Sequence, residues 1–207
     1  MATITRIALF GGTFDPIHKG HTHVAQHAAK QLEVDQLVYI PAKQSPLKIN
    51  APHVTDEQRV HMIQLAIAGC PEQTISTCEL ERPAPSYTID TIRNYREQNK
   101  ALTAIYWLIG ADAVIELGNW YCIRELLQEC RVITMRRADC PIPDFHPLRG
   151  VLSPDHVEKL KNNVLETPAI PISSSKIRAR LQQNRSVDDM LHPAVRDYIV
   201  ALNLYGG

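Results

Sequence analysis

The fold is decided by residues 10–21, Phe10-Gly11-Gly12-Thr13-Phe14-Asp15-Pro16-Ile17-His18-Lys19-Gly20-His21. The apolar run Ile7–Phe10 predicts a buried parallel strand, and the helical spacing of apolar residues after Gly20 predicts a helix. Between them, Gly11 and Gly12 let the chain turn with a ligand close to its backbone. A helix that starts there presents unpaired N–H groups and the positive end of its dipole. We therefore expect an anion, and a phosphate in particular, to bind at this turn.

Two histidines add chemistry to the turn. His18 and His21 lie about one helical turn apart, so both can donate hydrogen bonds to phosphate oxygens that gain charge during a reaction. Metal ligation is the alternative, because His23 and His27 follow on the same helix. These imidazoles spread over more than one helix face, and no cysteine or carboxylate has a matching spacing. We expect no metal site formed by the protein.

A second phosphate-binding segment is predicted at Ser173, Ser174, Ser175 and Arg178. Three hydroxyls stand at an expected helix start and a guanidinium follows one turn later, which suits the β- and γ-phosphates of a nucleoside triphosphate. A plain helix cap is the alternative. Because both segments follow strands of one expected sheet, they can converge on one ligand.

The same order of strand, glycine and helix returns at Ala104–Ile109 and Gly110-Ala111-Asp112. This repetition predicts an α/β fold, a Rossmann-like doubly wound parallel sheet with helices on both faces and ligands at the carboxyl edge. The other predicted strands are Gln36–Ile40, Thr74–Cys78, Val132–Met135 and Pro168–Pro171. We expect residues 1–207 to form a single domain, whose last part, about 173–207, is helical and packed on the sheet edge.

Composition argues against several classes of protein. The 22 lysines and arginines balance 22 acidic residues, so nothing indicates a nucleic-acid polymer as partner. The apolar stretches are too short to span a membrane and the N-terminus has no signal-like region, so we expect a soluble, cytoplasmic protein. Five cysteines at irregular spacings predict reduced thiols, none of them a nucleophile.

The first segment resembles the HxGH signature of the nucleotidyltransferase superfamily, and its longer form, 11–21, is similar to that of the nicotinate-nucleotide adenylyltransferase family. Residues 172–178 are similar to the ISSTxIR motif of the same family, with Ser175 in place of threonine. The resemblance implies transfer of the adenylyl group of ATP to nicotinate mononucleotide, with release of pyrophosphate. Pantetheine-phosphate adenylyltransferases share much of the first segment, so adenylyl transfer to another phosphorylated acceptor stays an alternative. A second alternative is a nucleotide-binding sensor without catalytic activity.

The resemblance also implies site residues. For ATP these are Gly11, Gly12, Thr13, Phe14, His18, His21, Gly110, Asp112, Arg137, Ser173, Ser174, Ser175 and Arg178. For the acceptor they are Tyr87, Thr88, Trp120, Tyr121 and Lys48. The catalytic candidates among them are His18, His21, Lys48 and Arg178. Mg²⁺ is expected to enter with ATP, the expected partners are ATP and nicotinate mononucleotide, and assembly into a homo-oligomer stays open.

Three of the implied roles have alternatives or depart from the family pattern. Trp120 would stack on the pyridine ring, but a large aromatic side chain is also a common core residue. Arg59 and Met62 fit the RxxM spacing of the family, and helix packing explains them equally well. Leu47 stands where the family commonly has a histidine, while Lys48 keeps the neighbouring cation, with a solvated surface lysine as its alternative.

Overall fold

The computed structural model describes residues 4–46 and 51–206. In these ranges the strands are β1 (Arg6–Gly12), β2 (Gln36–Pro41), β3 (Gln73–Ile75), β4 (Ala104–Gly110), β5 (Arg131–Arg137) and β6 (Val164–Thr167). The helices are α1 (Lys19–Gln31), α2 (Asp56–Ile67), α3 (Thr88–Gln98), α4 (Ile123–Glu129), α5 (Pro154–Asn162), α6 (Ser174–Gln182) and α7 (Pro193–Ala201). Two 3₁₀ segments, Ala111–Asn119 and His146–Gly150, complete the regular structure of the described ranges.

The six strands form one parallel sheet in the order β3-β2-β1-β4-β5-β6. This is the strand order of the Rossmann fold, and it confirms the predicted fold class. The order reverses between β1 and β4, where ligands of such sheets bind beyond the carboxyl ends of the strands. The turn after β1 and the segment Gly110–Asp112 after β4 both lie at this switch point.

Helices cover both faces of the sheet because successive strand side chains point in opposite directions. From β1, Ala8 and Phe10 join a core with α1, α2, α6 and α7, whereas Ile7 and Leu9 join a second core with α3, α4 and α5. The C-terminal helices therefore pack in the first core, where Ile177 of α6 is fully buried.

Local signals located most helix starts, and one strand was placed wrongly. The capping box of Thr55 and Gln58 begins α2, and Ser153 caps α5 before its first-turn proline. The strand predicted at Pro168–Pro171 does not form. Instead β6 (Val164–Thr167) precedes it and pairs with β5, because prolines lack the N–H that a strand ladder needs.

The five cysteines form no disulfide in the structure. Burial raises the pKa of the Cys130 thiol to about 12, so this side chain stays protonated at neutral pH and packs as an apolar group. Among the helices of residues 4–46 and 51–206, none is both long and apolar enough to cross a membrane.

Gly11 has a packing role that local sequence did not reveal. A Cβ there would lie 2.5 Å from Cζ2 and 2.7 Å from Cη2 of Trp107, which is 4% exposed on neighbouring β4. The indole thus fills the space beside the end of β1. Gly11 is therefore needed for packing, and its expected closeness to a ligand stays a prediction.

We predict that Gly11→Ala lowers the free energy of unfolding by roughly 1–3 kcal/mol, because the added methyl overpacks the core against Trp107. Urea denaturation measures this. Gly150→Ala is the matched control, since a Cβ at Gly150 has no neighbour within 4 Å. A Gly11→Ala protein as stable as the control would show that the indole can move aside without penalty.

Candidate active site

His18 caps the first turn of α1. Its backbone is extended, with φ −148° and ψ 169°, and its Nδ1 accepts a hydrogen bond from the His21 N–H at 3.3 Å. The residue is 4% exposed, and burial lowers the pKa of its imidazole to about 4. At neutral pH the ring is therefore uncharged. Because Nδ1 accepts, the ring proton is on Nε2, and His18 is a neutral hydrogen-bond donor.

The two imidazoles are stacked, as their spacing allows. The ring centroids of His18 and His21 lie 3.7 Å apart, with 15° between the planes. The edge of Phe14 supports His21, with ring centroids 5.2 Å apart. Gly20 makes the stack possible, because a Cβ there would lie 2.9 Å from Nδ1 of His18. The glycine of the HxGH signature thus leaves room for the first histidine.

The N-terminus of α1 is less open than expected. The Lys19 N–H donates to the carbonyl of Met190 at 3.1 Å, and the His21 N–H donates to His18. The expectation of unpaired N–H groups is therefore wrong for these two. The imidazoles, more than the helix end, offer donors at this turn.

The two predicted phosphate-binding segments converge. Ser174 Oγ donates to the carbonyl of Pro16 at 2.9 Å, and Arg178 Nη1 donates to the carbonyl of Asp15 at 2.6 Å. Arg178 Nη2 also lies 3.4 Å from Ser175 Oγ, and Ser173 caps α6 by accepting from the Lys176 N–H at 3.3 Å. Helix α6 is thereby docked on the turn after β1, two to three residues before the histidine pair along the chain.

Arg59, whose role the sequence left open, supports the same turn from inside the protein. Its side chain is fully buried, and Nη1 donates to the carbonyl of Thr13 at 2.7 Å. Nη2 is paired with Asp56 at 2.5 Å. A buried guanidinium needs such partners, and here one of them is the glycine-rich turn itself. In the sequence, the RxxM spacing was the signal that pointed to Arg59. In the structure this residue both packs in the interior and holds the turn after β1.

A carboxylate lies just beyond the end of β4, and a guanidinium is carried by the last residue of β5. A Cβ at Gly110 would overlap Oδ1 of Asp112, so the glycine allows this carboxylate to fold back over the strand end. A hydrogen bond to Cys140 raises the pKa of Arg137, and the charge of Asp112 adds to this effect. Both residues lie at the carboxyl edge of the sheet, Asp112 after β4 at the switch point and Arg137 one strand further along.

The acceptor candidates gather at the start of α3. The rings of Tyr87 and Tyr121 are in contact, with centroids 4.6 Å apart, and Thr88 is the first residue of the helix. Trp120 is partly buried against the second core, yet its Nε1 is buried without an acceptor among the described residues. Trp120 therefore combines a core contact with a free donor.

Two residues named in the sequence analysis lie outside the described part of the chain, and the described part can be searched for a metal site. Lys48, a catalytic and acceptor-binding candidate, lies outside the described residues, as does Leu47. Within residues 4–46 and 51–206, no three or more His, Cys, Asp or Glu side chains are grouped to hold a metal ion.

Comparison with known proteins defines the class and then the family. The model of the Cytidylyltransferase-like family matches residues 9–180, so the chain is a protein of this class. "Probable nicotinate-nucleotide adenylyltransferase" of Pseudomonas paraeruginosa is 38% identical over 97% of both chains, and that of Moorella thermoacetica is 32% identical over 97% of this chain and 91% of the other. The chain belongs to the nicotinate-nucleotide adenylyltransferase family.

Solved structures agree on the fold. Plasmodium falciparum nicotinic acid mononucleotide adenylyltransferase complexed with NaAD is 20% identical and covers 97% of each chain with a TM-score of 0.75. The same protein complexed with APC gives a TM-score of 0.70 at 21% identity, again over 97% of each chain. At this identity the likeness concerns the arrangement of strands and helices.

We predict that His18 makes the stability of the protein fall with acidification. The imidazole titrates near 6.5 when unfolded and near 4 when folded, so the unfolded chain binds the proton first. The stabilisation is complete above pH 6.5 and is lost as the pH falls to 4, with a total of roughly 3 kcal/mol. His18→Asn keeps a capping oxygen but does not titrate.

Urea denaturation of both proteins between pH 7 and 4 tests this, and the variant should show the shallower slope. Burial also lowers the pKa of His192, so part of the slope remains in His18→Asn. Parallel curves for the two proteins would contradict the prediction.

Proposed function

We propose that this protein transfers the adenylyl group of ATP to nicotinate mononucleotide, forming nicotinate adenine dinucleotide and pyrophosphate on the way to NAD. The observation that carries the proposal is the docking of the serine–arginine segment of α6 on the turn that precedes the stacked histidines. Family membership and the names of the relatives support the choice of acceptor. We further propose that residues 1–207 act as one domain and work in the cytoplasm.

The reaction needs no covalent intermediate. The 5′-phosphate of the mononucleotide is already a nucleophile at neutral pH. One of its oxygens attacks the α-phosphorus of ATP, the bond from that phosphorus to the oxygen bridging the α- and β-phosphates breaks, and pyrophosphate leaves with the electron pair. Catalysis then consists of alignment and of stabilising charge on the phosphate oxygens.

The neutral His18 and its partner His21 would donate to the phosphate chain, with His21 nearest the α-phosphorus. Ser174, Ser175 and Arg178 would hold the departing pyrophosphate. Because the Asp15 carbonyl already orients the guanidinium of Arg178, little reorganisation accompanies the reaction. The turn of Gly11, Gly12, Thr13 and Phe14 would border the nucleotide, with Gly110 and Asp112 at the ribose, Arg137 near the adenosine, Ser173 capping α6 and Lys48 adding charge.

Mg²⁺ is proposed to enter with ATP as part of the substrate. The donor set fits this assignment, because imidazole, hydroxyl and guanidinium donors bind phosphate oxygens and leave others to the ion. When bound, the ion would neutralise charge on the phosphates.

Acceptor choice would depend on the cluster at the start of α3. Tyr87, the residue before the helix, makes no side-chain cap, so the first N–H groups of α3 are not capped by that side chain. Together with Thr88 they could receive the nicotinate carboxylate. Trp120 and Tyr121 would contact the flat ring, for which an aromatic face is suited.

We predict that His21→Ala lowers kcat by roughly 10²- to 10³-fold with a smaller effect on ATP binding, because the donor acts on charge that develops in the transition state. Pyrophosphate release measures turnover. His23→Ala, an exposed histidine two residues further along α1, is the control and should retain wild-type turnover. A folded His21→Ala protein with near-normal kcat would remove His21 from the mechanism.

We predict that nicotinate mononucleotide reacts faster than its amide, because donors at the start of α3 favour a carboxylate. Initial rates with ATP and Mg²⁺ test this across both mononucleotides and phosphopantetheine. Equal rates for acid and amide would contradict the carboxylate site. Turnover with phosphopantetheine alone would instead assign the chain to another adenylyl transfer.

A further inference from the structure

Asp15 is a buried carboxylate in the middle of the first segment. Its side chain is 5% exposed, and such a group is stable only when hydrogen bonds replace water. Oδ2 accepts from the His53 N–H at 2.9 Å and lies 2.8 Å from His53 Nδ1, while Oδ1 accepts from the Tyr205 hydroxyl at 2.8 Å. Asp15 thus joins the turn after β1 to two distant parts of the chain.

The Tyr205 contact depends on how the chain turns after α7. The Leu204 N–H donates to the Ile199 carbonyl at 2.9 Å, and Asn203 and Tyr205 have φ values of 48° and 64°. This left-handed backbone is unfavourable for non-glycine residues, so packing must maintain it. Burial, together with the neighbouring Asp15 carboxylate, raises the pKa of Tyr205, and its hydroxyl therefore remains a donor.

Asp15 also holds Arg178. Its carbonyl accepts from Nη1 at 2.6 Å, and the same nitrogen lies 4.0 Å from Oδ2. The side chain of Arg178 is largely buried, and these contacts leave further N–H donors of the guanidinium for a ligand. The guanidinium is therefore held mainly by the main chain of Asp15, and the carboxylate of the same residue, which His53 and Tyr205 bind, lies within ion-pair distance of it.

We propose that Tyr205 is a positioning residue for the nucleotide: its hydroxyl fixes Asp15, and Asp15 fixes Arg178 against the triphosphate. This inference rests on the proposed function, because it takes Arg178 as a phosphate ligand. In this role Tyr205 would act through Asp15 and not by contact with the triphosphate. It makes the segment after α7 part of the active-site framework although it lies 190 residues from Asp15 along the chain.

Tyr205→Phe tests the inference, since it removes only the hydroxyl. Calorimetric titration with ATP should show a dissociation constant about 3- to 10-fold higher, because Asp15 loses one partner. The KM for nicotinate mononucleotide should be unchanged. Tyr198→Phe on α7 is the matched control: its ring lies against His61, and it should leave ATP binding unaltered. Thermal unfolding establishes that each variant is folded.

A double-mutant cycle separates positioning from general stability. In an Arg178→Lys protein, Tyr205→Phe should change ATP binding by less than about twofold, because the group that it orients is already gone. Asp15→Asn changes the acceptor of the same hydrogen bond. It should also raise the dissociation constant for ATP, and again only in a protein that has Arg178.

Three results are decisive. Wild-type ATP affinity in folded Tyr205→Phe would overturn the inference, and so would an equal loss with and without Arg178. The third result is that ATP binding changes as expected but no acceptor gives pyrophosphate release. That result would keep the role of Tyr205 and overturn the proposed function.

Discussion

Two hydrogen bonds to backbone carbonyls hold the site together. Ser174 and Arg178 donate to Pro16 and Asp15 across separations of 158 and 163 residues, and they bring the start of α6 against the turn after β1. Carbonyl groups near the core need partners, and side chains of α6 supply them to this turn. Without these bonds the histidine pair and the serine segment would be separate features of one sheet edge.

The first histidine shows how one side chain can serve both the fold and the chemistry. His18 caps α1 through Nδ1, and this bond leaves the proton on Nε2. Burial keeps the ring neutral, so it can donate to phosphate without the desolvation penalty of a buried cation. Gly20 leaves room for this ring, because a Cβ there would lie only 2.9 Å from its Nδ1.

Local patterns predicted most of the fold but few of its long-range contacts. Apolar runs and glycine-ended strands predicted the parallel sheet, and cap residues predicted the starts of α2 and α5. The last strand was misplaced because β6 is only four residues long and prolines follow it. The bond of Tyr205 to Asp15 and the packing of Trp107 on Gly11 depend on pairs far apart in the chain. No periodicity encodes such pairs.

The positions of the two tryptophans have a spectroscopic consequence. Trp107 is buried on β4 against the end of β1, whereas Trp120 is partly buried against the second core and its indole N–H lacks an acceptor among the described residues. Their intrinsic fluorescence therefore comes from two environments: a blue-shifted emission from the interior and a second emission that would respond to a ligand at the proposed acceptor site. Such a chain carries its own optical reporter and internal standard, without a dye attached.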